Sequence, residues 1–348
     1  MIMRPVSVVT GFLGSGKTTL IGRVLRDPGF ARTAVIVNEF GEIGLDHELI
    51  ASSDETLLAL TTGCLCCAVR SDLVATLLEL RGRAEAGEIA FDRALVETSG
   101  LADPAPILHA LMTDADVAAG YRLDSVLTVV DAVLGEATLD RHPEARRQAA
   151  LADRLALSKT DLAGAAESLR ARLAGLNPAA PLAATGDLVP GWLFGGGDAE
   201  ARAERLAGLP FEVGRSPFRV GTRGAVSQAV HSDGVTTFAL QRQRPVPALA
   251  LALMLQALAE HCGARLLRLK GLVNVAEMPG QPAVIHGVQH VFAPPDFLPR
   301  WPSADRSTRL VFIAQRVPRH FPARLLDAIE AEVVEEMRGD GDPLPTQG

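Results

Sequence analysis

Lysine is nearly absent from this chain. Of 34 basic residues only three are lysine: Lys17, Lys159 and Lys270. Where arginine is the default cation, lysine persists at positions where a compact ammonium does what a planar fork cannot. Cysteine is scarce as well. There are four, and three of them, Cys64, Cys66 and Cys67, fall within four positions. Adjacent cysteines make poor disulfide partners, so the cluster points to metal binding or catalysis. Cys262, in Glu260-His-Cys-Gly263, reads as the buried end of a helix. No basic run and no alternation of aromatic with basic residues occurs, and the net charge is −7. These features exclude a nucleic-acid footprint. The eight histidines are scattered, which excludes a His-rich metal store. The longest apolar stretch, Ala248 to Ala259, is too short for a bilayer and is interrupted by Gln256. The start, Met1-Ile-Met-Arg-Pro5, lacks the apolar core and cleavage site of a signal peptide. The expectation is a soluble, cytoplasmic protein, monomer or homodimer, that engages neither membrane nor nucleic acid.

What is present is a chain of 348 residues, 48% hydrophobic, enough for a sizeable core and two domains. Continuous apolar runs predict strands at Val6–Thr10, Ala34–Val37, Thr56–Leu60, Arg93–Val96, Ser125–Val130 and Arg154–Leu157. Helical spacing covers Thr18–Leu25 and Ser71–Arg83. Buried strands alternating with helices indicate a mostly parallel sheet covered on both faces. The pattern fades after Asn177, and Gly186 to Ser216 is rich in Gly and Pro, with a short helix near Ala199–Leu206. A second pattern follows: strand Val235–Leu240, helix Pro247–His261, and strands Arg265–Val273, Ala283–Val291 and Arg309–Ala314. Helix Pro322–Met337 closes this small α+β domain. The expected division is an α/β domain over 1–185, a linker over 186–225, an α+β domain over 226–337 and a polar tail over 338–348.

Gly11-Phe-Leu-Gly-Ser-Gly16-Lys17-Thr18 fits G-x-x-x-x-G-K-[ST] between a strand and a helix, so the first domain is a P-loop NTPase. The glycines, Gly14 and Gly16 among them, let backbone N–H groups turn inward around phosphate oxygens, aided by the positive end of the helix. Lys17 reaches the β- and γ-phosphates, and the Thr18 hydroxyl ligates Mg²⁺. Val96-Glu97-Thr-Ser-Gly100 closes a buried strand. Glu97 there suits a water on Mg²⁺, and the Gly100 amide suits the γ-phosphate; a plain strand-end acid is the other reading. In Ser158-Lys-Thr-Asp161, Asp161 is spaced to accept the two donors of guanine's Watson–Crick edge, which favours GTP over ATP. Ser-x-x-Asp also suits a helix N-cap.

Cys64, Cys66 and Cys67 offer up to three thiolates, ligands that select Zn²⁺, Cu⁺ and similar ions. A site with three or fewer thiolates and an open position suits a metal that must leave again. Redox sensing is the competing reading. Upstream, Asn38-Glu39-Phe-Gly-Glu42-Ile-Gly-Leu-Asp46 places three carboxylates in a Gly-containing loop. They serve Mg²⁺, supplement the thiol-bound metal, or simply form a solvated acidic loop.

Taken together, these motifs resemble the CobW-like family of metallochaperone GTPases, relatives of the nickel-insertion GTPases of urease and hydrogenase maturation. The resemblance rests on Gly11 to Thr19, Asn38 to Glu42, Gly63-Cys-Leu-Cys-Cys67, Glu97 to Pro104 and Ser158 to Asp161. In the second domain it rests on Arg265 to Gly271, Ile285 to Gln289 and Arg309 to Ile313. It implies a GTPase that holds Zn²⁺ or Co²⁺ at Cys64, Cys66 and Cys67 and delivers it to a client metalloprotein in a step coupled to hydrolysis. It also implies phosphate contacts for Ser15 and Thr19, and that Lys159 and Asp161 bind the guanine. Two departures stand out: Ser158 occupies the place where such GTPases usually have Asn, and the His-rich insert of some members is absent. The rival readings are a P-loop phosphotransferase and a thiol-based metal or redox sensor.

Overall fold

The computed structural model describes residues 3–30, 32–39, 57–61, 66–163, 166–188, 192, 199–207 and 234–339. The chain divides into two compact units, Met1–Arg202 and Ala203–Gly348.

In chain order the first unit runs β1 (Arg4–Thr10), α1 (Lys17–Leu25), β2 (Thr33–Glu39), β3 (Leu57–Thr61), α2 (Cys66–Glu85) and β4 (Arg93–Thr98). It continues with α3 (Ala105–Thr113), α4 (Ala115–Ala118), β5 (Tyr121–Asp131), α5 (Gly135–Arg141), α6 (Pro143–Leu151) and β6 (Arg154–Ser158). The last elements are α7 (Thr160–Ala163), α8 (Glu167–Leu176) and β7 (Leu182–Ala184), and α9 (Ala199–Ala207) spans the boundary between the units. Seven strands form one parallel sheet in the order β3-β2-β4-β1-β5-β6-β7. Val6, Val8 and Val9 of β1 and Leu155, Ala156 and Leu157 of β6 are fully enclosed. Such strands do not alternate polar with apolar, because both faces of a parallel sheet are covered. Leu20, Ile21 and Val24 of α1 pack on Val9, Val35, Leu95 and Leu127 of the sheet. The P-loop NTPase fold expected from the strand and helix pattern is therefore present.

Helix α2 begins at Cys66, five residues earlier than the spacing from Ser71 suggested. Its later turns are fixed: Leu73, Leu77 and Leu80 are buried, the Tyr121 hydroxyl donates to Leu77 O at 2.8 Å, and Arg81 donates to Asp116 O at 2.7 Å. The helices over 105–118, 135–151 and 167–176 escape the sequence reading. In α6 the buried face includes Arg146 and Gln148 beside small alanines, so no apolar stripe marks it. The expected turn at Gly63–Cys64, most of the linker 186–225 and the tail from 340 lie outside the described residues.

The second unit comprises β8 (Val235–Arg242), α10 (Ala248–Cys262), β9 (Leu266–Val273), β10 (Ala283–Val288), β11 (Val291–Phe292), β12 (Asp296–Phe297), β13 (Thr308–Gln315) and α11 (Phe321–Gly339). An antiparallel sheet in the order β11-β10-β9-β13-β8, with β12 on β10, packs one face against α10 and α11. Phe238 and Phe312 stack at its centre, 5.2 Å between rings. The single strand expected over Ala283–Val291 is a hairpin instead. Gln289 takes a φ of 54° in a two-residue turn, with Val288 paired to Val291. Cys262 is buried at the end of α10, and burial pushes its thiol pKa up. Among the described residues no helix is long and apolar enough to cross a membrane.

Tyr121 is the chain's single tyrosine. Burial pushes its hydroxyl up to about 12, against opposing pulls from Arg4 and Arg81. A spectrophotometric alkaline titration therefore reads this one contact. The native phenol should ionise near pH 12, and the urea-unfolded phenol near about 10. Because the unfolded phenol ionises first, the Tyr121 contribution to stability is complete below about pH 10 and declines above it. A native midpoint equal to the unfolded one would remove α2's buried anchor.

Candidate functional site

Strand register gathers the nucleotide site before any side chain is considered. Val9 pairs with Glu97, Thr10 with Thr128, and Asp131 with Ser158. The P-loop, Glu97, Asp131 and Ser158 thus leave the sheet at its carboxyl end. The chain winds to one side of β1 through β2, β3 and β4, and to the other through β5, β6 and β7. Open α/β sheets bind ligands at the carboxyl ends of strands around such a switch point.

Gly14 and Gly16 have φ of 70° and 90°, in the left-handed region that turns successive N–H groups inward. The Ser15 amide donates to Phe12 O at 3.1 Å, and Leu20 N donates to Gly16 O to start α1. Lys17 is buried, with its ammonium on Gly11 O at 3.0 Å and Phe12 O at 3.4 Å. The Thr18 hydroxyl donates to Glu97 Oε1 at 2.8 Å, and Thr19 is exposed on the same turn. A Cβ on Gly100 would sit 2.7 Å from Leu13 N, so only glycine lets the segment after β4 lie on the P-loop. Buried Gln148 of α6 holds that segment: Nε2 donates to Gly100 O at 3.1 Å and Ala102 O at 3.0 Å.

The base motif is tied to the same loop. Ser158 Oγ donates to Ser15 O at 2.6 Å and reaches Val130 O at 3.4 Å, so its hydroxyl is not an N-cap. Lys159, at φ 56°, donates to Gly14 O at 2.9 Å and to Asp131 Oδ2 at 2.6 Å. Asp131 Oδ1 accepts from Val133 N at 2.8 Å and Leu134 N at 3.1 Å. Burial acts to raise the Asp131 pKa. The hydrogen bond from Lys159, the two amides and the Lys159 charge outweigh it and hold the carboxyl below its ordinary value. Asp161 is exposed on α7.

Asp131 and Gln148 are the residues that sequence reasoning missed. Asp131 carried a signal, an acid directly after a buried strand, of the same kind as Glu97. Gln148 carried none, because a glutamine in a polar helix reads as surface. The residues present fit a nucleoside triphosphate with Mg²⁺: a glycine nest, an ammonium at its rim, and a hydroxyl–carboxylate pair at the first turn of α1.

Cys66 and Cys67 are the first two residues of α2. Glu39 ends β2 and pairs with Thr61, the last residue of β3. β3, the sheet's edge strand, thus ends at the same carboxyl end. Cys64, Glu42 and Asp46 lie outside the described residues. Among the described residues, no three His, Cys, Asp or Glu side chains gather to hold a metal.

Asp131→Asn tests the Lys159 anchor, since it preserves shape and removes charge. The Lys159 side chain is 39% exposed, so the pair is worth about 1 kcal/mol, or about fivefold in affinity. Calorimetry should show GDP binding weakened by about that factor. An unchanged Kd would mean that Asp131 does not position Lys159.

Set beside known proteins, residues 5–184 match the CobW/HypB/UreG nucleotide-binding domain, and residues 235–330 match the cobalamin synthesis protein cobW C-terminal domain. The zinc chaperone YjiA of Escherichia coli is 32% identical over 320 residues, 91% of this chain and 96% of that protein. The zinc chaperone CobW of Pseudomonas aeruginosa is 38% identical over 209 residues, 51% of this chain and 54% of that protein. The crystal structure of Zn(II)-bound YjiA GTPase from E. coli has a TM-score of 0.70 at 27% identity, covering 94% of this chain and 99% of that one. Both domains match in order and one relative is similar along nearly its whole length, so the chain belongs to the CobW family of P-loop proteins.

Proposed function

We propose that this protein is a GTP-hydrolysing metallochaperone. It holds a transition metal, zinc ahead of cobalt, at Cys64, Cys66 and Cys67 and transfers it to client metalloproteins. The observation that carries this reading is the placement of Cys66 and Cys67. They open α2 directly after the edge strand of the sheet whose carboxyl end also bears the P-loop. The names of its relatives support zinc: YjiA and CobW are zinc chaperones, and YjiA has been crystallised with zinc.

Each residue then has a task. The backbone of Gly14, Ser15, Gly16 and Thr19 receives the phosphates, and Lys17 leaves its loop carbonyls for the β- and γ-oxygens. Thr18 and Glu97 hold Mg²⁺, which when bound neutralises developing phosphate charge. The Gly100 amide meets the γ-phosphate, and Gln148 sets the position of that segment. Lys159 supports the base site from Gly14, and Asp161 reads the guanine edge. Water attacks the γ-phosphorus, giving GDP and phosphate. Glu39, Glu42 and Asp46 lie on the chain between the nucleotide and the thiols and serve either ion. Within the division 1–185, 186–225 and 226–337, the first part hydrolyses GTP and the last receives the client. Among the described residues no side chain stands out to activate the water, so intrinsic turnover should be slow, on the order of 10⁻³ per second.

Zinc competition titrations test both halves of the reading. The Cys64/Cys66/Cys67→Ser variant should bind Zn²⁺ at least tenfold more weakly than the natural chain. In the natural chain, Zn²⁺ affinity should differ between a non-hydrolysable GTP analogue and GDP. Equal affinities in the variant and the natural chain sink the thiol site. Equal affinities in the two nucleotide states sink the coupling while leaving the site.

A further inference from the structure

Behind the P-loop, within the first unit, lies a cavity of about 120 Å³. Phe12 and Leu13 of the loop, Val129 and Val130 of β5, Leu134 and Leu139 around α5, and Ala145 of α6 supply its apolar wall. Of the phosphate cradle, Ser15 lines it, while Gly14, Gly16, Lys17 and Thr18 do not. Its mouth lies beside Leu13 and Leu134, which are 55% and 58% exposed. The Phe12 ring rests on His142 with 4.3 Å between centroids, which fixes one wall.

Five polar side chains interrupt this lining: Thr128, Thr138 and Asp131, whose oxygens are engaged, and Ser15 and Gln148, only 2% and 0% exposed. Among the described residues, neither Ser15 Oγ nor Gln148 Oε1 has a hydrogen-bond partner. The Gln148 amide is not free to flip. Its nitrogen donates to two carbonyls, Gly100 O and Ala102 O, and a flipped amide would set oxygen against oxygen. Thr128 Oγ1 holds the Gln148 backbone carbonyl at 2.7 Å, so the residue is fixed at both ends. A buried acceptor without a donor is costly, and a dry packing void would be lined by apolar atoms alone. The one carboxylate on the wall, Asp131, is already engaged by Lys159 and two amides. A cation therefore finds no open counter-charge there, and an anion is repelled.

We propose that this cavity binds a small uncharged molecule with an apolar body and one hydrogen-bond donor, of about the size of phenol. The donor bonds to Gln148 Oε1, the Ser15 hydroxyl bonds to the same group, and the body fills the space between Leu134, Leu139 and Ala145. At about 120 Å³ the space is somewhat smaller than the about 150 Å³ that holds one benzene, so part of the ring lies at the open mouth beside Leu13 and Leu134. The ligand thereby touches the residue that holds Gly100 and Ala102, so its occupancy bears on the segment after β4. The site stands on its own geometry, whatever nucleotide or metal the protein handles.

Amide NMR of the full chain, titrated with phenol, benzene and benzoate, tests this. Phenol should bind one-to-one and saturably, shifting the signals of Gly100, Ala102 and Leu134. It should bind about fivefold more tightly than benzene, the gain from one hydrogen bond, and benzoate should not bind. Ala145→Phe fills the space and should abolish binding. Thr138→Leu, which narrows the space from α5, serves the same purpose should the first variant misfold. Shifts that never saturate, binding undiminished in a folded variant, or equal affinity for phenol and benzene would each overturn the proposal.

Discussion

β1 lies between β4 and β5, and its position decides where every chemical group of the first unit ends up. A parallel sheet buried on both faces tolerates little slippage, because each strand is held by neighbours on either side. With Val9 beside Glu97 and Thr10 beside Thr128, the loop leaving β1 meets a carboxylate on one flank and the Asp131 turn on the other. The Thr18–Glu97 hydrogen bond, the Lys159–Asp131 pair and the Ser158–Ser15 bond are consequences of that register. None of them had to be positioned separately.

The ties between the base motif and the P-loop also make one body of two recognition elements. Ser158 and Lys159 hold consecutive P-loop carbonyls, those of Ser15 and Gly14. The segment after β6 is therefore placed relative to the P-loop by direct hydrogen bonds. At this position, where the sequence departs from Asn, the one hydroxyl of Ser158 is taken up by Ser15 O and Val130 O.

What is legible in the sequence follows from how local each contact is. The P-loop is one continuous segment whose glycines report their own backbone angles, so Gly11 to Thr19 can be read directly. Glu97 and Lys159 can be read because each ends a buried strand in a recognisable order. Gln148 cannot, since its meaning lies in Gly100 and Ala102, dozens of residues away, and the polar composition of α6 conceals that the helix is buried. Ser158 shows the opposite difficulty. Ser-x-x-Asp is a valid local cap, yet the hydroxyl is taken by a tertiary contact with the P-loop. Likewise, the run Ala283 to Val291 has strand composition throughout, and only the turn at Gln289 divides it.

The thiol-bearing helix shows how little motion the fold requires. Helix α2 is 20 residues long and is fixed in its middle turns, where Tyr121 holds the Leu77 carbonyl. From Leu77 back to Cys66 is a rod of about 16 Å at 1.5 Å per residue. A tilt of about 5° about that anchor carries the backbone of Cys66 through about 1.4 Å. Helix α2 is thus a lever with its fulcrum at Tyr121. Three strand spacings, about 14 Å, separate β1 from the edge strand β3, and a rotation too small to disturb the core displaces the longer, amino-terminal arm of α2 by more than an ångström.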